Sequence, residues 1–254
     1  MINPDNIFVV LSEPKGPGNV GSVARAMNNM GLKELVLVKP CDYQSHEARK
    51  MASGCNETLL NAVLFESVRE AVADAGFVVG MTCRTGKYRR NIVDVDGLTE
   101  KLASVSDKNR VALLFGTERT GLANDEIALC DLLVSIPTSS LNRSLNLSQA
   151  VLLVCYEIFK KSKERLDNRE KEPVDLATSE ELEMMYDHME DVFREIGYTN
   201  PQNPGHIMMT IRGIFARADL DSRDVRILRG MVGKMDCYRK WVERGKTKRT
   251  KLGL

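Results

Sequence analysis

Leu113-Leu-Phe-Gly116-Thr-Glu118-Arg119-Thr-Gly121-Leu122 passes from an apolar run into a loop holding two glycines and one carboxylate. Further along, Ile136-Pro137 closes a second apolar run, and Arg143-Ser144-Leu145-Asn146-Leu147-Ser148 leads into a segment of helical periodicity. The first stretch reads as a strand ending in a glycine-bearing loop, the second as strand, loop and helix. Runs of the same kind recur at Ile7–Leu11, Glu34–Val38, Ala62–Phe65, Phe77–Met81, Val111–Phe115 and Leu132–Ile136. Each is brief, β-branched or leucine-rich, and bounded by Gly, Pro, Asn or Asp, as buried parallel strands are. Helices are expected from Val20 to Gly31, from a Ser67/Glu70 capping pattern, from Asn124, and from Leu147 to Lys163. Strands alternating with helices predict an α/β fold with a mostly parallel sheet over residues 1–165.

Residues 166–178 are charged, contain Pro173 and lack periodicity, and read as a linker. A small all-α extension is predicted for 179–254. Leu182, Met185, Met189, Val192 and Ile196 form one stripe. Asn203-Pro204 opens a second helix carrying Ile207, Ile211, Ile214 and Ala218. A third begins at Asp221, with Val225, Leu228, Val232, Met235 and Val242 inward. The methionines read as core, and the tail 246–251 is expected to be mobile.

The 254 residues carry a net charge of only +1, so the whole molecule does not advertise a polyanionic partner. The distribution says more. Residues 157–197 hold seven Lys/Arg against thirteen Asp/Glu, whereas 204–254 hold thirteen against five. A basic C-terminal segment fits either a polyanion-binding surface or a solvated helix face. The six cysteines show neither a CxxC pair nor zinc spacing, and His46, His188 and His206 are scattered, so no metal is expected. The apolar run near the N-terminus is too short for a signal peptide and no stretch approaches a membrane span, so a soluble intracellular protein is expected.

Gly16-Pro17-Gly18-Asn19-Val20-Gly21 satisfies G-x-G-x-x-G between a strand and a helix, with Asp42 about twenty residues on. On spacing alone this signals an NAD(P)-binding Rossmann oxidoreductase. The first glycine lies about five residues past the strand, and Pro17 stiffens the turn. A Gly/Pro loop capped by Asn19 accounts for the same residues equally well.

Asn19-Val-Gly21-Ser-Val-Ala-Arg25, the 113–122 stretch and the 136–148 stretch resemble, in order and spacing, the three motifs of the SpoU (TrmH) branch of the SPOUT superfamily of RNA 2′-O-methyltransferases. The resemblance covers about residues 5–163. Asn203-Pro-Gly-His-Ile-Met-Met-Thr-Ile-Arg-Gly-Ile-Phe-Ala-Arg217, with Ile227-Leu-Arg-Gly230, is similar to the helical extension of TrmJ-type enzymes, which methylate nucleotide 32 of the tRNA anticodon loop. It implies a SPOUT-type fold with a C-terminal trefoil knot between about Val111 and Lys163, a homodimer with its active site at the subunit boundary, and S-adenosyl-L-methionine (SAM) as cofactor. Carried over position by position, Met81, Thr82, Cys83, Gly116, Ile136, Ser144, Leu145 and Asn146 would bind SAM. Arg25, Ser144 and Asn19 would act in catalysis, Glu118 and Gly121 would shape the motif-two loop, and Arg84, Arg89 and Arg90 would face RNA. Around Gly86–Arg90 the chain departs from the family pattern. Methylation of another tRNA or rRNA site is the alternative within the class.

Arg25 is unsuited to be a free base, since a guanidinium stays protonated; gripping a phosphate and polarising the ribose hydroxyl suit it better. Asn19 and Asn146 serve equally well as helix caps, and Glu118 as an acceptor for backbone N–H groups. Few aromatics lie near the arginines, which favours shape and backbone recognition of RNA over base stacking.

Overall fold

The computed structural model describes residues 1–84, 92–141, 143–163, 175–199 and 204–251, the side chains at 204, 206 and 243–251 excepted. The chain divides into two compact units, Met1–Ser179 and Glu180–Leu254.

In the first unit the order is β1 (Ile7–Ser12), α1 (Pro17–Asn29), β2 (Glu34–Val38), α2 (His46–Met51), α3 (Asn56–Leu60), β3 (Val63–Phe65), α4 (Val68–Ala71), β4 (Phe77–Met81), β5 (Ile92–Val93), α5 (Val95–Val105), β6 (Val111–Phe115), α6 (Asn124–Ala128), β7 (Leu132–Val134) and α7 (Leu147–Lys163). The seven strands make one sheet in the order β3-β2-β1-β6-β4-β7-β5, and every strand pair is parallel. A parallel sheet covered on both faces needs apolar side chains at successive positions, and every residue of β1 and β6 is buried. Alternation then divides them between two cores. Ile7, Val9 and Leu11 meet Val23 and Met27 of α1, Leu98 and Leu102 of α5, and Val151 and Val154 of α7. Phe8 and Val10 point the other way, toward Val68, Val72 and Ile127. Each such side chain contributes about 1.5–3 kcal/mol on burial.

Several elements differ from the sequence expectation. β7 ends at Val134 instead of Ile136, because its partner β5 is only two residues long and Pro137 has no N–H to donate. α1 opens at Pro17, three residues early, with Gly16 at the cap position. α2, α3, α5 and β5 were not anticipated. For α5 the signal was present: the Asp94 side chain accepts from Gly97 N–H at 2.9 Å, and Leu98, Leu102 and Val105 share its buried face. The Ser67 cap is as expected, accepting from Glu70 N–H, but its helix is a single turn. Residues 166–174 of the expected linker lie outside the described residues, and 175–178 are not free. Leu176 and Ala177 are buried. Leu176 N–H donates to Asn109 Oδ1 at 2.8 Å and Ser179 N–H to the Ala75 carbonyl at 2.6 Å.

The second unit contains α8 (Ser179–Glu195), α9 (Pro204–Phe215) and α10 (Ser222–Lys251), so the segment expected to be a mobile tail continues a helix. Met185, Tyr186, Met189, Val192, Met208, Val225 and Val232 are buried, while Ile196, Ile214 and Met235 of the anticipated stripes are exposed. Arg212 pairs with the buried Glu183 through both guanidinium nitrogens, and lies 4.2 Å from the Tyr186 ring centroid. Asn203 lies outside the described residues. Among the described residues no helix is long and apolar enough to cross a membrane.

Candidate active site

The C-terminal ends of β4, β6 and β7 converge on a cleft of about 790 Å³, part of it open to solvent. Parallel α/β sheets bind ligands at this edge because loops and helix starts gather there. Met81 ends β4 and leads through Arg84 into the cleft, Phe115 ends β6 and leads through Leu122, and Val134 ends β7 with Ile136 just beyond it. Arg143, Ser144, Leu145, Leu147 and Ala150 close it from the start of α7. Seven of the eight residues expected to hold the cofactor therefore line one cavity, and Arg84, expected to face RNA, lines it too. Asn146 does not line it.

The loop after β6 is a tight turn. Thr117 and Gly121 form an antiparallel bridge, Gly121 N–H donates to the Thr117 carbonyl at 2.9 Å, and Gly121 has a φ of +66°. A Cβ on Gly116 would lie 2.2 Å from the Gly121 carbonyl carbon, so only glycine lets the two arms of the turn close.

Asn146, Asn19 and Glu118 join the three motif segments by hydrogen bonds. Glu118 accepts from Lys15 N–H (3.0 Å), Gly16 N–H (3.0 Å) and the Asn19 Nδ2 amide (3.1 Å). Asn19 Oδ1 in turn accepts from Asn146 Nδ2 at 3.0 Å. Asn146 Oδ1 caps α7, accepting from Ser148 N–H at 2.9 Å and from its hydroxyl at 2.8 Å. Asn146 thus serves as both cap and bridge. Asn19 is not a cap: it sits inside α1, whose cap residue Gly16 offers no side chain.

Partial burial by itself raises the Glu118 pKa. The Lys15 N–H, the Asn19 amide and the Gly16 N–H outweigh it, leaving the carboxyl below its ordinary value of 4.5. A depressed folded-state value stabilises the protein fully above about pH 4.5 and loses that contribution as pH falls through the lowered value. Glu118→Gln presents an NH₂ group where donors already converge. It is expected to cost about 1–2 kcal/mol at neutral pH, moderated by solvent at this half-exposed group, and to flatten the acid limb of stability. Urea unfolding at pH 7 and pH 4 checks both; equal stabilities of wild type and variant at pH 7 would sink the assignment.

Glu118 is the single acid among the lining residues, and it is turned toward the β1–α1 loop. The exposed guanidinium groups of Arg84, Arg119 and Arg143 face no carboxylate among the described residues, so the mouth is cationic. Arg119 and Arg143 sat within the quoted motifs, but their spacing carried no signal that they would reach the cavity. Arg25 is exposed on α1, outside the cleft, with no polar partner among the described residues. Arg89 and Arg90 lie outside the described residues.

The glycines of the G-x-G-x-x-G match are not among the cleft-lining residues. Gly21 instead admits α2: a Cβ there would sit 2.0 Å from the Ala48 carbonyl oxygen.

A parallel sheet with its cleft on three strand-end loops, cross-tied by Asn19, Glu118 and Asn146, defines a class, and the comparisons agree with it. Residues 6–156 match the sequence profile of the SpoU rRNA Methylase family, and the chain belongs to that family. Within it the chain falls in the TrmJ group, since residues 180–249 match the profile of the tRNA methyltransferase TrmJ C-terminal domain. It is 33% identical over 242 residues to the tRNA (cytidine/uridine-2'-O-)-methyltransferase TrmJ of Photorhabdus laumondii, covering 94% of this chain and 99% of that one. Its structure is similar to crystalline TrmJ from Z. mobilis ZM4, with a TM-score of 0.78 and 33% identity, covering 90% of this chain and 98% of that one. A solved protein concerned with 2-OH methylation of C/U34 on tRNA aligns at a TM-score of 0.51 and 25% identity; 64% of this chain spans all of it.

Proposed function

We propose that this protein is a SAM-dependent tRNA ribose 2′-O-methyltransferase acting at nucleotide 32 of the anticodon loop. The observation that carries this reading is the Glu118–Asn19–Asn146 chain of hydrogen bonds, which locks three sequence-distant motifs around one cleft with a cationic mouth. The cytidine/uridine-2'-O-methyltransferase relatives match nearly the whole chain and support tRNA as substrate. The helical extension supports nucleotide 32 over 34, because the protein concerned with C/U34 is spanned by 64% of this chain.

The lining fits SAM. Phe115, Val134, Ile136, Leu145 and Leu147 offer apolar walls, and the three strand ends present backbone donors and acceptors to a purine. When bound, SAM supplies an electrophilic methyl carbon on a sulfonium, and methyl transfer to the 2′-oxygen leaves a neutral thioether. Ser144 orients the ribose hydroxyl at the cleft, Arg84, Arg119 and Arg143 hold the flanking phosphates, and the hydroxyl proton passes to phosphate or water. Met81, Thr82, Cys83 and Gly116 shape the cofactor's bed, and Gly121 with Glu118 keeps the loop in place.

Arg25 serves the cleft of a second copy. Two observations support this: the residue is exposed away from its own cleft, and α1 packs on α7. The inner face of α7 is buried through Val151, Val154, Cys155 and Ile158, yet Leu152, Leu153, Tyr156 and Phe159 are exposed. A helix apolar on both sides is suited to pair with another subunit, and a homodimer follows. The knot expected over 111–163 belongs to the same reading, as does the cytoplasm, where tRNA resides.

Mass-spectrometric mapping of ribose methylation, in tRNA and rRNA from cells with and without this gene, tests the proposal. Loss of methylation at tRNA nucleotide 32 alone is the expected result; loss at 34, in the D-loop or in rRNA overturns it. NAD(P)H raising the melting temperature where SAM does not would restore the oxidoreductase.

A further inference from the structure

The helix α10 carries two apolar stripes. One is the core side, with Val225 and Val232 buried. The other runs through Ile227, Met231, Tyr238 and Trp241, exposed by 52%, 55%, 68% and 68%. With Lys234 these residues follow one another at spacings of four, three, four and three, which keeps them on one side of a helix. The C-terminal half of the stripe is aromatic: Tyr238 and Trp241 are stacked, with centroids 6.0 Å apart and planes 29° from parallel. Two rings held this way and left in solvent expose a large apolar surface for no benefit to the unit's own core.

Charge selects what covers them. Ser222–Lys251 contains eleven Lys/Arg and three Asp/Glu, a net charge of +8. Two such helices repel each other along a shared seam, whereas a polyanion is drawn to it. Aromatic faces on a cationic helix match single-stranded nucleic acid, whose phosphates neutralise the lysines and arginines while its bases stack on the rings.

We propose that Tyr238 and Trp241 form a stacking platform for unpaired nucleobases of the tRNA substrate, a binding site made of residues other than those of the cleft. The platform rests on the tRNA-methylation reading above. It contributes affinity and placement of loop nucleotides, and takes no part in the transfer itself.

Trp241 is the sole tryptophan of the chain, so the intrinsic fluorescence of the unmodified protein reports this position. Titration with an anticodon stem-loop RNA should quench the emission with the same midpoint that fluorescence anisotropy gives for binding. Heparin, a polyanion without bases, should bind without that quenching. Tyr238→Leu keeps the stripe apolar but removes a ring, and should weaken stem-loop binding about ten-fold with the oligomeric state unchanged in sedimentation; Tyr238→Phe should restore it. Binding with unaltered emission, equal quenching by heparin, or dissociation of the protein by Tyr238→Leu would overturn the platform. Tritium transfer from labelled SAM to tRNA is measured on the same wild-type sample. Transfer without quenching removes the platform alone, whereas no transfer removes the reading beneath it.

Discussion

Arg25→Ala is expected to lower methyl transfer to tRNA by about 10²-fold or more while leaving SAM affinity unchanged, because a donor aimed at developing charge acts only in the transition state. Arg25→Lys should lose nearly as much. A lysine ammonium is a point charge and cannot bridge a phosphate and a hydroxyl as a planar fork does. Single-turnover tritium transfer, read beside SAM binding by calorimetry, separates the two effects; an active Arg25→Lys enzyme would remove the bidentate role. Arg25 lies outside the cleft of its own chain, which makes a stronger test available. In the proposed homodimer, co-expressing Arg25→Ala with a variant whose cleft is blocked should give mixed dimers in which one subunit's intact cleft meets the other's intact arginine. Random pairing at equal amounts should restore about a quarter of wild-type activity. No recovery above the parent variants would mean that each arginine serves its own chain.

Gly116→Val should abolish SAM binding and destabilise the first unit by about 1–3 kcal/mol. The obstacle is backbone: the new Cβ would meet the Gly121 carbonyl carbon at 2.2 Å and Leu122 N at 2.3 Å, neither of which can swing aside as a side-chain end can. The 116–122 turn must open, and the turn forms one wall of the cleft and carries Glu118. Circular dichroism distinguishes a folded protein with a spoiled cleft from an unfolded one. The proposed role of Gly116 is lost if the valine variant binds SAM as the wild type does. The blocked-cleft partner in the mixing experiment can be this same variant.

Buried strands were legible because a parallel strand covered on both sides must be apolar at every position, and Ile7–Leu11 and Val111–Phe115 are. The helix Leu147–Lys163 was legible for the complementary reason, a long periodic segment with a polar cap residue before it. The two-residue β5 was not, since its pairing with Leu133 and Val134 leaves no pattern long enough to read. The small helices α2 and α3 bury too few side chains to show a period.

The candidate site divides the same way. The family resemblance, carried over position by position, nominated Met81, Gly116, Ile136 and Ser144, and all four line one cleft. That Asn19 and Glu118, 99 residues apart, and Asn19 and Asn146, 127 apart, form one chain of hydrogen bonds had no local signature. Nor did the position of Arg25 outside its own cleft, or the second, aromatic side of α10 left in solvent. Periodicity records how deeply each residue is buried along its own element. Which elements become neighbours depends on strand order, and only the closed sheet settles that.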